Sequence, residues 1–477
     1  MLSFLDRSNI GNARIAGMDD DLQSVPPRSG WYEWALVSFY LAYIAFEWMA
    51  VLWRLIPAHI YVAILVLSWG VIASLQAVAV NYPMLIFLRT LLGIGEAGFT
   101  GVPFYLSFFF RRDELAFRTA IFISAAPLAT SFASSLAWLI LKLAESGPIA
   151  PWRLLFLVEG FPSVVVAVLA WHIIPDSPET APYLTRREKK IARLRLQRDR
   201  QLDPSSTPYP VRSSPSSSTA LSTFSVLTDP AAWLTALILF LANLSYSSLP
   251  VFLPTILRAM GHSPLAAQAL SAPPYLLSFF AVLLTARLSD SRGARSPLLI
   301  THALASAAGY AVLALSSPGE DGGGGWTLPP DSPLRYLAVF PAAVGFFNVV
   351  VLTISWNVNN SNNSRHADAA RNRGAAGFAL MQVIGQCGPL VGTTQLYPDE
   401  DAPYYARGMT VCAVSMLGVA VLAAALRWVL RRRNRRLEEE EGEEGEEVGL
   451  GEEEALVRRV ESGSWGEGRK GGFRYML

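Results

Sequence analysis

Three features of the sequence predict an all-α membrane protein, a two-half bundle of twelve helices of which the first is truncated. Apolar runs of roughly 20 residues, the length a helix needs to cross the hydrocarbon core, recur along the chain. Lys and Arg crowd into alternate connections between those runs, the asymmetry that sets membrane orientation. One long polar stretch divides the runs six and six. Composition agrees: 16% of the 477 residues are charged and 52% hydrophobic, whereas soluble domains carry about 25% charged residues.

Taken in order, the spans are expected at 31–53, 59–80, 84–109, 117–143, 154–174, 231–257, 266–286, 297–316, 334–357, 374–395 and 405–428, eleven in all, after a fragment at 1–17. Met1 stands five residues before Asp6, too few to carry a helix to the membrane surface, which is why the first helix reads as truncated. Arg54, Arg111, Arg112, Arg118, the 186–200 cluster, Arg287, Arg292, Arg295, Arg365, Arg371, Arg373 and the Arg431–Arg436 run occupy every second connection. Those connections and the C-terminus are expected on the cytoplasmic side.

The division follows from these spans. Residues 1–174 form an N-terminal helical half and 229–430 a C-terminal half. Between them, 175–228 is a cytoplasmic loop that starts with Pro175-Asp-Ser-Pro-Glu179, runs into a basic amphipathic stretch at 185–196 and ends in Ser/Pro-rich sequence too poor in apolar residues to bury a core. The basic stretch is expected on the anionic inner leaflet. Residues 431–477 read as a basic, then acidic, disordered tail with eleven Glu between 438 and 454.

The same composition excludes several classes of function. The net charge of +1 hides segregated charge, but the basic clusters adjoin apolar spans and form no folded basic domain, so no nucleic-acid partner is expected. Cys387 and Cys412 both sit in apolar runs and make neither a disulfide framework nor a metal motif. No span carries a nucleophile–base pair, so an enzyme is not expected, and no cofactor or metal is implied.

The informative residues are charges where charge is costly. An ionised group at the bilayer centre costs at least about 2.5–3.5 kcal/mol. Arg89 and Glu96 nevertheless lie within the fourth span, two helical turns and about 10 Å apart on one face. Gly93 and Gly95 between them let a neighbouring helix approach. The arrangement fits a lined cavity; a buried ion pair that merely locks the bundle is the alternative. Asp6 and Asn9 share a face of the first helix, with Arg7 about 100° away, unless the Asp6–Arg7 pair is simply an exposed terminus. Desolvation favours a neutral carboxyl and a nearby guanidinium favours the carboxylate, so Asp6 and Glu96 are placed to exchange protons when an anion displaces them from the arginines.

Elsewhere the charged groups have plainer readings. Glu47 and Glu159 read as interhelical salt-bridge partners. Asp290, with Arg292, falls in a connection where it could cap the next helix and act as a conformational latch. The C-terminal spans are almost free of acids and offer neutral groups instead: Asn243, Tyr246, Tyr275, Asn348, Trp356, Asn357, Gln382 and Gln386. Coupling to protons would then reside in the N-terminal half, with specificity shared by the other.

These features together resemble the major facilitator superfamily. Leu85-x3-Arg89-x3-Gly93-x-Gly95-x-Ala97 is similar to its fourth-helix motif, and Asp290-Ser-Arg-Gly fits its loop pattern. Leu5-Asp6-Arg7-Ser-Asn9-Ile-Gly-Asn12-Ala resembles the first-helix signature of the anion:cation symporters. The fungal branch, with its allantoate, nicotinate and pantothenate permeases, is the nearest in pattern. Trp152-Arg-x-x-Phe156-x-x-Glu159-Gly160, Pro273-Pro274-Tyr275 and Asp401-Ala-Pro403 extend the likeness along the chain. The loop Trp53–His59 departs from it.

The resemblance implies proton-coupled symport of a small organic anion, a carboxylate such as a vitamin or ureide, by alternating access. It implies Asp6 and Glu96 as proton carriers and Arg7 and Arg89 as substrate-binding cations. Asn9, Tyr275, Asn357 and Gln382 are expected to complete the binding site, in a monomer embedded in the lipid bilayer of the plasma membrane or the vacuole. A non-transporting nutrient sensor or a degenerate truncated transporter is the alternative, although the tail holds no folded signalling module.

Overall fold

The computed structural model describes residues 1–23, 30–106, 108–110, 112–144, 148–202, 225–316, 328–329, 332–361, 367–397 and 399–462. Thirteen principal helices account for most of them: α1 (Leu2–Ala13), α2 (Trp31–Phe46), α3 (Ala58–Leu75), α4 (Tyr82–Ala97), α5 (Arg112–Ala144), α6 (Pro151–Ile173), α7 (Arg186–Leu202), α8 (Pro230–Ala259), α9 (Pro264–Arg292), α10 (Ser296–Leu315), α11 (Pro333–Ser361), α12 (Ala367–Gln395) and α13 (Ala406–Ser462). Among the described residues, nine helices are long and apolar enough to cross a membrane. Helices α1, α2 and α12 complete the bundle by packing among them.

Helix starts follow local chemistry. Asn81 caps α4 by accepting from the Met84 amide at 3.0 Å, Asp229 caps α8 through the Ala231 amide at 2.9 Å, and Ser263 caps α9 through Ala266 at 3.2 Å. Each is followed by a proline at N1 or N2, where the missing N–H has no intrahelical partner to lose. α9 ends at Gly293, whose φ of 59° places it in the left-handed region.

Packing divides the helices as the chain order does. α3 packs on α6, α2 on α4, and α1 on α5 and α6; in the other group α8 packs on α12, α10 on α11 and α13, and α9 on α11. The two groups meet where α5 lies on α9 and α11, α2 on α12, and α1 on α8. Gly93 brings α4 against α2: a Cβ there would stand 2.3 Å from the Phe39 carbonyl oxygen. Close approach of this kind is how helices associate where lipid offers no hydrophobic drive.

Several expectations need correction. The second span is α-helical only to Phe46 and continues as a 3-10 helix over Glu47–Arg54. The fourth breaks in the same way at Gly98–Gly101 before the short helix Val102–Leu106. One contact ties the two breaks together: the Trp53 indole donates to the Gly98 carbonyl at 2.7 Å, diverting that oxygen from the helical ladder. The first segment extends beyond residue 17, but not as one helix: it passes through Arg14–Met18, kinks at Gly17, whose φ is 94°, and resumes at Asp19–Leu22. Asp19 accepts from Arg14 at 2.9 Å and from the Tyr82 hydroxyl, and Asp21 accepts from Trp152 at 2.7 Å. The acidic stretch read as coil is helical to Ser462 within α13, since Glu, Leu and Arg are strong helix formers. The Ser/Pro-rich segment 204–218 and residues 463–477 lie outside the described residues.

Candidate functional site

A cavity of about 150 Å³ lies between the two helix groups. α1, α2, α4 and α5 supply Arg7, Tyr40, Tyr43, Glu96 and Thr130; α8, α11 and α12 supply Asn243, Tyr246, Phe347, Gln382 and Gln386. Six more aromatic or aliphatic side chains, Phe4, Phe99, Phe122, Phe378, Val350 and Ile354, make the rest of the wall largely apolar.

The cavity is charged on one wall. Arg7 donates to Glu96 Oε2 from Nη2 at 2.9 Å and from Nε at 3.3 Å. The Arg7 side chain is 18% exposed and that of Glu96 1%. The guanidinium carbon also lies 4.7 Å from the Tyr43 ring centroid and 5.2 Å from that of Phe39, a cation–π arrangement that favours the charged form in a dry setting. Glu96 Oε1 has no hydrogen-bond partner among the described residues. The two residues thus combine readings that the sequence leaves open: they form a buried interhelical ion pair, and that pair lines a cavity. Asp6 and Arg7 are not an exposed terminus; Asp6 is buried and accepts from the Ser163 hydroxyl at 3.4 Å.

Arg89 stands one layer back. It is fully buried but absent from the cavity wall. Its guanidinium carbon lies 5.9 Å from the Phe156 ring centroid, and Nε and Nη2 have no partner among the described residues. Asn9 is buried nearby on α1 with both amide atoms unpartnered among those residues. The 3.6-residue period puts Arg89 and Glu96 on one face, but only the Glu96 end of that face reaches the cavity.

In the C-terminal helices, Gln382 lines the cavity and its Oε1 has no partner among the described residues. Tyr275 and Asn357 do not line it. The Tyr275 ring is buried edge-on to Phe347 at 6.0 Å, so it backs the wall without forming it. Asn243 is a wall residue held by its own helix pair, donating to the Gly385 carbonyl at 3.0 Å. Among the wall residues that sequence reasoning passed over are Tyr40 and Tyr43, whose i,i+3 spacing beside Phe39 was the available signal.

Other charged groups depart from expectation. Asp290 lies within the last turn of α9 and does not cap α10, whose N-cap is Arg295. Its ion-pair partner is Arg295 at 2.8 Å, five residues on, while Arg292 lies exposed. The helix runs further than expected, to Arg292, so Asp290 lies inside α9 and its carboxylate meets the side chain of the α10 N-cap residue instead of capping that helix's amides. Neither Glu47 nor Glu159 is an interhelical salt bridge: both are buried, and all four carboxylate oxygens lack a hydrogen-bond partner among the described residues. Among those residues no group of three or more His, Cys, Asp or Glu is arranged to hold a metal ion.

A bundle of paired six-helix groups around a charged central cavity defines a multi-pass membrane transporter. The comparisons with known proteins agree. The model of the Major Facilitator Superfamily matches residues 1–393, and the chain belongs to that superfamily. It is 32% identical over 453 residues to the MFS transporter prlL of a fungal species (strain NRRL 50135), covering 92% of this chain and 85% of that one. It is 26% identical to the high-affinity nicotinic acid transporter of Saccharomyces cerevisiae, covering 86% of this chain and 70% of the relative. Among solved structures, the proton:xylose symporter XylE bound to 6-bromo-6-deoxy-D-glucose aligns with a TM-score of 0.60 at 14% identity, over 88% of this chain and 92% of that one. This last likeness concerns the fold.

Proposed function

We propose that this transporter is a proton-coupled symporter of a small organic anion, a carboxylate with an apolar or aromatic body, working by alternating access. The observation that carries the reading is the Arg7–Glu96 ion pair on the wall of a cavity bounded by both halves. An ionised pair in an apolar cavity is stable only while each charge has its partner. Protonation of Glu96 removes the anion that holds Arg7 and leaves a guanidinium fork open toward the cavity. A substrate carboxylate then takes the place of Glu96, with bidentate geometry that suits arginine. Proton and anion enter as a neutral sum, and the loaded site crosses between the two membrane faces as the halves rock against each other.

The remaining residues divide the work. Tyr40, Tyr43, Tyr246 and Phe347 offer flat apolar faces to the substrate body, while Gln382 and Gln386 supply neutral hydrogen bonds from the opposite half. Asp6, held by Ser163, is the second proton carrier of the reading. Arg89 acts from behind the wall and becomes a substrate contact only as α1 and α4 move. The nicotinic acid transporter among the relatives supports a carboxylate of this kind. Asp290 with Arg295, at the end of α9, takes the latch role.

The test is uptake into proteoliposomes of a carboxylate panel that includes nicotinate, driven by an inward proton gradient. Wild-type protein is expected to accumulate a member of the panel. Glu96→Gln is expected to abolish gradient-driven accumulation while retaining exchange of labelled for unlabelled substrate. Accumulation by Glu96→Gln at the wild-type level would sink the reading.

A further inference from the structure

Helix α6 turns one stripe of residues, Phe156, Glu159 and Ser163, toward α1 and α4; the three- and four-residue spacing puts them on a common face. Both ends of the stripe touch the site. The Arg89 guanidinium lies over Phe156 at 5.9 Å, and the Ser163 hydroxyl donates to Asp6 at 3.4 Å. Glu159 sits between them, 2% exposed, with neither carboxylate oxygen hydrogen-bonded among the described residues. A glutamate kept only for packing would be expected to carry a partner, because buried polar groups are overwhelmingly hydrogen-bonded.

The surroundings of Glu159 restrict what can balance its charge. From α1 it faces Asp6; farther along that chain segment Arg14 is bound to Asp19 and Asp21 to Trp152. α4 carries Arg89, whose guanidinium lies over Phe156. On α3 the titratable groups are engaged elsewhere, His59 with Asp176 and Tyr61 with the Met49 carbonyl. On α5, Arg118 lies over Phe110 and Lys142 over Trp138. On α6 itself Arg153 donates to the Ala77 carbonyl. Between α1, α4 and α6, then, three carboxyls (Asp6, Glu96 and Glu159) share two guanidiniums (Arg7 and Arg89). The Met1 ammonium at the head of α1 acts on Asp6 and Glu96 as well, but no cation among the described residues is hydrogen-bonded to Glu159, and an uncompensated charge at that depth is costly.

We propose that Glu159 is a third proton-exchanging carboxyl of this transporter, set behind the substrate cavity and working with Asp6. The proposal rests on the proton-coupled reading above and extends it: the number of protons carried per anion is set at the α1–α6 interface as well as at Glu96. Over the transport cycle the Glu159 carboxyl takes up a proton from one side of the membrane and gives it up toward the other by way of the Asp6 carboxylate; as the proton passes, one acid ionises and the other is neutralised. The net charge of the pair is unchanged, so the exchange adds no ion to the apolar interior. Ser163, already hydrogen-bonded to Asp6 and one turn from Glu159, positions the acceptor for that exchange.

Infrared difference spectra of the purified full chain in lipid nanodiscs, taken across a pH jump with no substrate, test this directly. Wild type and Glu96→Gln should both show a protonated-carboxyl band that Glu159→Gln lacks. Identical band sets in wild type and Glu159→Gln overturn the proposal. Should Glu159→Gln fail to fold, Glu159→Asp keeps the carboxyl one methylene shorter; a shifted band is the expected result and an unshifted set overturns it. In nicotinate-loaded proteoliposomes, Glu159→Gln should also lower the proton-to-nicotinate ratio by one. The two readings fail separately. A missing Glu159 band with intact proton-driven nicotinate uptake removes only the third carboxyl, whereas an intact band with no uptake under any gradient removes only the transport reading.

Discussion

The two halves share an architecture and differ in their chemistry. In the N-terminal helices the polar groups in and behind the cavity wall include five ionisable side chains, Asp6, Arg7, Arg89, Glu96 and Glu159, beside neutral ones such as Asn9 and Ser163. In the C-terminal helices the cavity wall and its backing carry neutral amides and hydroxyls, among them Asn243, Tyr275 and Gln382, and the buried arginines, Arg295 and Arg335, are absent from the wall. Ions respond to protons and to each other over distance, whereas neutral groups act only within hydrogen-bond reach. On the proposed reading, one half senses a gradient and the other recognises a shape. Both sets meet on the wall of one cavity, where Arg7 and Glu96 stand opposite Gln382 and Gln386.

The comparison breaks most visibly at Arg7. Arg7→Ala leaves Glu96 buried beside no cation on the cavity wall, a loss of about 3–5 kcal/mol for one partner of a buried pair. Uptake should vanish and thermal stability in detergent should fall. Arg89→Ala, behind the wall, should weaken substrate affinity while leaving the Arg7–Glu96 pair formed; equal effects of the two substitutions on affinity would erase the distinction between front and rear cation.

Glycine substitutions ask whether the halves are packed alike. A Cβ at Gly93 would stand 2.3 Å from the Phe39 carbonyl oxygen, and one at Gly388 would stand 2.4 Å from that of Phe240. Overpacking of this kind costs about 1–3 kcal/mol. Gly93→Ala and Gly388→Ala should therefore lower the melting temperature by similar amounts, yet only Gly93→Ala should disturb coupling, because of these two helices only α4 carries a proposed proton site.

Smaller effects sharpen the contrast. Gln382→Ala removes a neutral hydrogen bond and should raise KM about tenfold, an effect of about 1.4 kcal/mol, with the proton-to-substrate ratio unchanged. An altered ratio would move coupling into the C-terminal half. The smallest effect is expected between the halves, at the start of α7. There the Thr185 amide and hydroxyl both donate to Glu188 at 2.8 Å, and these bonds hold the exposed Glu188 carboxyl below its usual range. A lowered carboxyl contributes stability that is present above its unfolded pKa and lost as pH falls through the folded value. Thr185→Ala should speed amide exchange at the first turn of α7 at neutral pH, converge with wild type in acid, and leave transport untouched.

How much of this was legible depends on the kind of residue. Asp6, Arg7, Arg89 and Glu96 announced themselves because a charge in an apolar run needs a reason. Their pairing did not, since helical periodicity tells which residues share a face but not which neighbouring helix that face meets. Hence Arg89 and Glu96, equivalent on the wheel, separate into rear and wall positions. Neutral groups were harder to sort. Gln382 reached the cavity and Tyr275 did not, although each is simply a polar residue among apolar ones. Glu47 and Glu159 were read as salt bridges because a buried carboxylate ordinarily has one; the packing supplies neither.

By itself the sequence determined the membrane-spanning helical class, the six-and-six division and the identity of the ions, because desolvation makes each of these costly to violate locally. Only the tertiary structure decided that Arg7 holds Glu96, that α6 brings Glu159 beside Asp6, and that Tyr40 and Tyr43 face the cavity. Those facts depend on where separate helices meet, and contacts between residues as distant as Arg7 and Glu96 leave no pattern in either segment alone.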